Sequence, residues 1–126
     1  MSNDFAVWDE TFAATADFQS CQFCFVKVSA TPRYVALCST SGEAMLGILQ
    51  NNPLSGGNAV VRLLGRSKLR AGGSVTLNGL VKTGSSGQGL AVTLTSGEYV
   101  GAQAIETISS GDINEVIVRG APVRAQ

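Results

Sequence analysis

Cys21 and Cys24 stand at the C-x-x-C spacing used by dithiol redox centres and by zinc knuckles. Neither chemistry is completed around them. A zinc site needs two further ligands, and with no histidine in the chain only Cys38 remains. A redox pair is activated at a helix N-terminus, whereas residues 21–28 alternate like a strand, which sends positions three apart to opposite faces. The lack of histidine also removes the commonest general base. Gly84-Ser85-Ser86-Gly87-Gln88-Gly89 has the composition of a phosphate loop but not its Gly-Lys-Ser/Thr ending, and no helix follows it, so it reads as a hairpin tip. Arg62, Arg66, Lys68 and Arg70 cluster around Gly65 without interleaved aromatics on a chain of zero net charge, which favours protein contact over nucleic acid. The residues therefore predict a non-enzyme with no catalytic groups, no metal ligands and no cofactor.

The elements that carry these residues are short and β-type. Alternating or β-branched runs at 21–28, 34–38, 45–50, 59–64, 74–77, 89–95, 99–105 and 113–119 are separated by Gly-, Pro- and Asn-marked turns. The first two form a hairpin turned at Ala30-Thr31-Pro32-Arg33. Only Ser41-Gly42-Glu43-Ala44 and the run Gly-Ala-Gln-Ala-Ile-Glu-Thr-Ile from Gly101 have any helical character. This spacing predicts an all-β fold, a small β-barrel or β-sandwich, over residues 21–126.

Residues 1–20 do not follow that pattern. Phe5, Val7, Trp8 and Phe12 are irregularly spaced and lead into a stretch of small residues, which reads as an extended N-terminal arm that orders against a partner or against the domain itself. Charge is distributed in blocks: −4 over residues 1–26, +6 over 27–82 and −2 over the rest. An acidic, aromatic arm facing a basic stretch suggests a division of labour. Phe5, Val7, Trp8 and Phe12 would supply affinity, and Asp4, Asp9 and Glu10 would set register against basic groups of the capsid or of a neighbouring copy, with Arg62, Arg66, Lys68 and Arg70 as further electrostatic contacts. Only 14% of residues are charged against 44% hydrophobic, about half the usual charge of a soluble domain, so much of the surface is expected to be covered in an assembly. The start Met-Ser-Asn-Asp lacks a basic and apolar leader, and no apolar run reaches the ~20 residues of a membrane span, which predicts a cytoplasmic product without membrane contact.

The order of the central segments resembles a known family. Gln22-Phe23-Cys24-Phe25-Val26-Lys27-Val28 is followed by Val35-Ala36-Leu37-Cys38. The stretch LGILQNNPLSGGNAVVRLLGRSKLRAGG then keeps a short strand, a Pro turn, a Gly turn, a strand and a Gly-marked corner, and Tyr99-Val100-Gly101-Ala102-Gln103-Ala104 follows. Together they look like the capsid decoration (cement) proteins of tailed bacteriophages. The resemblance implies a β-tulip-like domain, commonly a homotrimer, made in the host bacterial cytoplasm. It would sit on the outer capsid surface of the virion and clamp the major capsid protein. The competing reading is a carbohydrate- or host-surface-binding β-domain displayed on a virion, which would use exposed aromatics such as Trp8, Tyr34 and Tyr99 as sugar platforms.

Overall fold

One long strand organises the structure, a computed structural model that describes residues 7–92 and 98–124. Strand β5 (Asn58–Arg70) buries its odd-numbered residues Ala59, Val61, Leu63, Ser67 and Leu69 and turns its even-numbered residues outward. That period of two is what the apolar/polar alternation of the sequence demands of a sheet with one wet face. Gly65 lies midway at φ 112°, a backbone conformation that side chains resist, and marks the corner where the strand passes from one layer to the next.

The first half of β5 closes a barrel. It pairs antiparallel with β1 (Trp8–Ala14) on one side and with β4 (Gly47–Leu49) on the other. β4 pairs with β2 (Phe25–Val28), β2 with β3 (Tyr34–Leu37), and β3 returns in parallel to β1, so five strands form a ring with no free edge. The second half of β5 pairs with β9 (Ile113–Arg124), which continues through β8 (Tyr99–Ala104) and β6 (Leu80–Thr83) to β7 (Gly89–Ala91). Among the described residues every regular element is a strand.

Two cores result, and β2 and β4 serve both. Val26 and Leu49 point into the barrel with Ala14, Phe18, Val35, Ala59 and Val61. Their neighbours Phe25 and Ile48 point the other way, onto Leu69, Val81, Val116 and Val118 of the second sheet. Strands buried on both faces carry no alternation, which explains the unbroken apolar runs Gly-Ile-Leu and Phe-Val. Each such side chain contributes about 1.5–3 kcal/mol by leaving water. Lys82 is also buried, with its ammonium bonded to the Glu98 carboxylate.

Several expectations are corrected here. The segment read as an arm over residues 1–20 is part of the sheet from Trp8 to Ala14, and Phe18 is buried in the barrel. Its irregular pattern has a physical cause: Trp8 to Thr11 meet solvent and only Phe12 and Ala14 turn to the core. The run at 74–77 makes only the single bridge Val75–Ile108, whereas the run read at 99–105 is strand β8, without the helical character its sequence had left open. A Cβ at Gly101 would lie 2.7 Å from the Met45 sulfur and 3.0 Å from the Phe25 ring, so a side chain there would press on the core of the second sheet.

Candidate docking face

The outward positions of β5 place Arg62, Arg66, Lys68 and Arg70 on one face, as the sequence spacing implies for alternate residues. The structure gives three of them local partners. Arg62 forks onto Asp9, with Nε 2.7 Å from Oδ1 and Nη2 2.9 Å from Oδ2, while its Nη1 donates to the Arg66 carbonyl at 2.8 Å. The Asp9 hydrogen bond raises the pKa of Arg62 above its already high ordinary value. Arg66 reaches Glu115 of β9 at 3.5 Å, both being well exposed. The Lys68 ammonium lies 5.8 Å from the centre of the Phe23 ring, a cation–π distance. The Arg70 side-chain Nε is buried without a hydrogen-bond partner.

Asp9, expected to meet basic groups of the capsid or of a neighbouring copy, is instead paired with Arg62 within the chain, between adjacent strands. Glu10 accepts instead from Trp8 Nε1 at 2.7 Å. Asp4 and Phe5 lie outside the described residues. Of the predicted apolar contacts, Phe12 packs against the barrel core, whereas Val7 and Trp8 are exposed at 42% and 49%. Val7, Phe23, Arg66, Lys68 and Glu115 border a cleft of about 480 Å³.

Beside it runs a larger feature with no charged residue in its lining. Leu64, Leu77 and Ile117, with the amides of Asn78 and Gln103, border an open groove of about 890 Å³. Leu80 lies directly across from Gln103, and Ile113 shares the outward face of β9 with Ile117, so both extend the same surface. Among the described residues nine large apolar side chains are exposed, and six of them (Val7, Leu64, Leu77, Leu80, Ile113, Ile117) belong to this side of the sheet. Singly exposed apolar residues carry no message, but a contiguous group does. The sequence analysis missed this group, although a signal existed. Leu64 occupies the polar phase of β5, with Arg62 and Arg66, and Ile113 and Ile117 occupy the polar phase of β9, with Glu115.

The candidate reactive groups are not assembled into a site, although Arg70 of this face interacts with the Cys24 thiol. Cys24 closes a turn with its N–H on the Cys21 carbonyl, and Phe23 at φ 67° forms the bend, so the C-x-x-C lies in a turn rather than in the expected strand. Burial, reinforced by the neighbouring Cys21, pushes the Cys24 thiol up to about 11, and burial pushes Cys38 up to about 12. Among the described residues no three histidine, cysteine or carboxylate side chains converge as a metal site would need. The Gly84 to Gly89 stretch is a hairpin tip between β6 and β7, seated on the barrel by a bond from Phe25 N–H to the Gly87 carbonyl.

With the barrel, the long shared strand and the outer face described, the chain can be set beside known proteins. No protein-family model and no curated protein matches the sequence. Solved structures do match in fold. One of them is the N base of the head fiber gp8.5 of bacteriophage phi29, with a TM-score of 0.69 over 93% of this chain and 98% of that one. The two sequences are 12% identical, so the likeness to the head-fiber base is one of architecture. It agrees with the expected all-β barrel and covers nearly the whole of both chains.

Proposed function

We propose that this chain is a structural protein of a phage virion, a decoration protein that assembles as a homotrimer on the outer head surface. There it would dock on the major capsid protein and stabilise the shell, without enzymatic activity or cofactor. The observation that carries this reading is the gathering of exposed apolar side chains on one side of the second sheet, rimmed by the Val7, Arg66, Lys68 and Glu115 cleft. A surface of that kind is built to be covered by protein. The architecture shared with a phage head-fiber base supports the virion setting. Trp8 and Val7, exposed at the start of β1, are the residues assigned to capsid contact, with Lys68 and Arg66 beside Val7 providing the electrostatic component. The Asp9–Arg62 pair is already satisfied within the chain, so salt should act on docking mainly through Arg66 and Lys68.

The experiment is co-sedimentation of the purified protein with expanded and with immature heads. Binding to expanded heads alone, weakened at least tenfold by Trp8→Ala, is the expected result. Failure to bind either form, together with saturable binding to a glycan array, would replace this reading with a host-surface or carbohydrate role.

A further inference from the structure

We infer that Asn78 is a site of spontaneous deamidation, and that the aspartate or isoaspartate formed there puts a carboxylate into the uncharged groove bordered by Leu64, Leu77 and Ile117. The chemistry is independent of the proposed function; only its effect on docking rests on that reading.

Of the six asparagines in the chain, Asn78 alone is followed by glycine. Deamidation begins when the backbone nitrogen of the next residue, having given its proton to hydroxide, attacks the side-chain Cγ. The N–Cγ bond forms, the Cγ–Nδ2 bond breaks, and ammonia leaves behind a five-membered succinimide. Water then opens the ring at either carbonyl, giving aspartate or isoaspartate. A following glycine has no Cβ to screen its nitrogen, and its backbone is free to reach the cyclising geometry. The other described asparagines are worse placed. Asn52 precedes Pro53, which has no N–H to lose. Asn51 is held at both ends of its amide, donating to the Asn58 carbonyl at 2.9 Å and accepting from Val60 N–H at 3.0 Å. Asn58 precedes the buried Ala59 in the β1–β5 ladder. Asn114 donates to Glu106 at 3.2 Å, and the next N–H, that of Glu115, is bonded to the same carboxylate.

Asn78 is exposed, at the third position of a turn closed by Gly79 N–H on the Thr76 carbonyl at 2.9 Å, and it takes the φ of 70° that this position requires. Gln103 of β8 latches it there: Nε2 donates to Asn78 Oδ1 at 2.7 Å and to the Asn78 carbonyl at 3.2 Å. The Gly79 nitrogen cannot attack while its N–H is bonded to Thr76, so the reaction waits on local opening of the turn. An exposed turn of this kind opens at a small fraction of the cost of global unfolding. The product matters because of where it forms. Asn78 and Gln103 are the polar members of a groove lined otherwise by Leu64, Leu77, Ile117 and their apolar neighbours, with no charged residue among them. A carboxylate at position 78 would meet no opposite charge in that lining, and a partner that covered the groove would bury it uncompensated.

The test ages the full-length protein at 37 °C and pH 8.5, folded and in urea, and maps the products after trypsin digestion. The peptide from Ala71 to Lys82 should gain the mass of one amide-to-acid conversion before any other asparagine-containing peptide, with isoaspartate at position 78 detected by an isoaspartyl methyltransferase. The unfolded sample, its turn lost, should convert at least threefold faster. Gln103→Leu, which keeps the bulk without the donor, should convert at least twofold faster than the folded parent, with Gln103→Ala as substitute if circular dichroism shows it unfolded. Earlier conversion at Asn51, Asn58 or Asn114, or none at Asn78 in the folded protein while the unfolded one converts fully, would overturn the site. An unchanged rate without the Gln103 amide would overturn the latch. Asn78→Asp stands in for the product: it should elute before the parent in hydrophobic-interaction chromatography and bind heads at least threefold more weakly. Co-elution would overturn the placement of the charge in the groove, and unchanged head affinity its effect on docking. A parent that ignores heads would sink the virion reading and leave the modification standing.

Discussion

Deleting residues 1–15 should unfold the barrel rather than merely trim a docking arm. β1 meets β5 at six register positions, from Trp8 opposite Leu64 to Ala13 opposite Asn58, and meets β3 at Ala13 and Ala14. At about 1 kcal/mol net for each backbone hydrogen bond, the β5 ladder contributes roughly 6 kcal/mol. Burial of Phe12 and Ala14 adds about 2 kcal/mol, and the partly exposed Asp9–Arg62 pair about 0.5 kcal/mol. The loss is thus on the order of 8 kcal/mol, against roughly 6–19 kcal/mol expected for a chain of 126 residues. It also strips the cover from β3 and β5, leaving two edges that invite aggregation. Urea unfolding followed by far-ultraviolet circular dichroism and Trp8 fluorescence measures the full-length protein, and circular dichroism alone measures the truncated one, which lacks Trp8. The truncated chain should show no cooperative transition or one shifted by several molar. A transition with slope and midpoint within about 0.5 M of the parent would refute the claim that β1 closes the barrel.

Gly47→Ala should be strongly destabilising, by about 1–3 kcal/mol in urea unfolding, because the new Cβ would sit 2.2 Å from the Arg62 carbonyl oxygen in a ladder that cannot yield. In the native protein at pH 8, Cys24 and Cys38, with thiols at about 11 and 12, should resist a disulfide reagent, while all three cysteines react in denaturant. Fast native labelling of Cys24 or Cys38 would show that the cores open readily. Burial alone would raise the Glu43 carboxyl, but N–H donors from Thr40 and Ser39 and the Lys27 ammonium hold it below its ordinary value. A depressed folded-state pKa contributes stability above the unfolded carboxylate pKa and loses it as pH falls through the folded value. Glu43→Gln should therefore lower the melting temperature at pH 7 and flatten its decline in acid, and an unchanged acid slope would remove Glu43 from the account.

Part of the chain was legible because its signals are local. The run at 59–64 reads as strand and lies within β5, although its continuation to Arg70 and the strand β6 were not read. Likewise the Thr31-Pro32-Arg33 turn announced the β2–β3 hairpin, with Arg33 at φ 68° in the bend. β1 was not legible, since what makes Trp8 to Ala14 a strand is a partner some fifty residues away, and its exposed end shows no hydrophobic period. Nor was the docking face, whose members Leu64, Leu77, Leu80, Ile113 and Ile117 come from separate strands and a turn. Each of them alone is an ordinary surface residue; only the tertiary pairing of β5, β9, β8 and β6 sets them side by side. Local sequence thus determined the all-β class and the place of most strands and turns. Long-range closure decided which strands meet, and with it where the apolar surface lies, because pairing is governed by contacts between residues that have no neighbourhood in the chain.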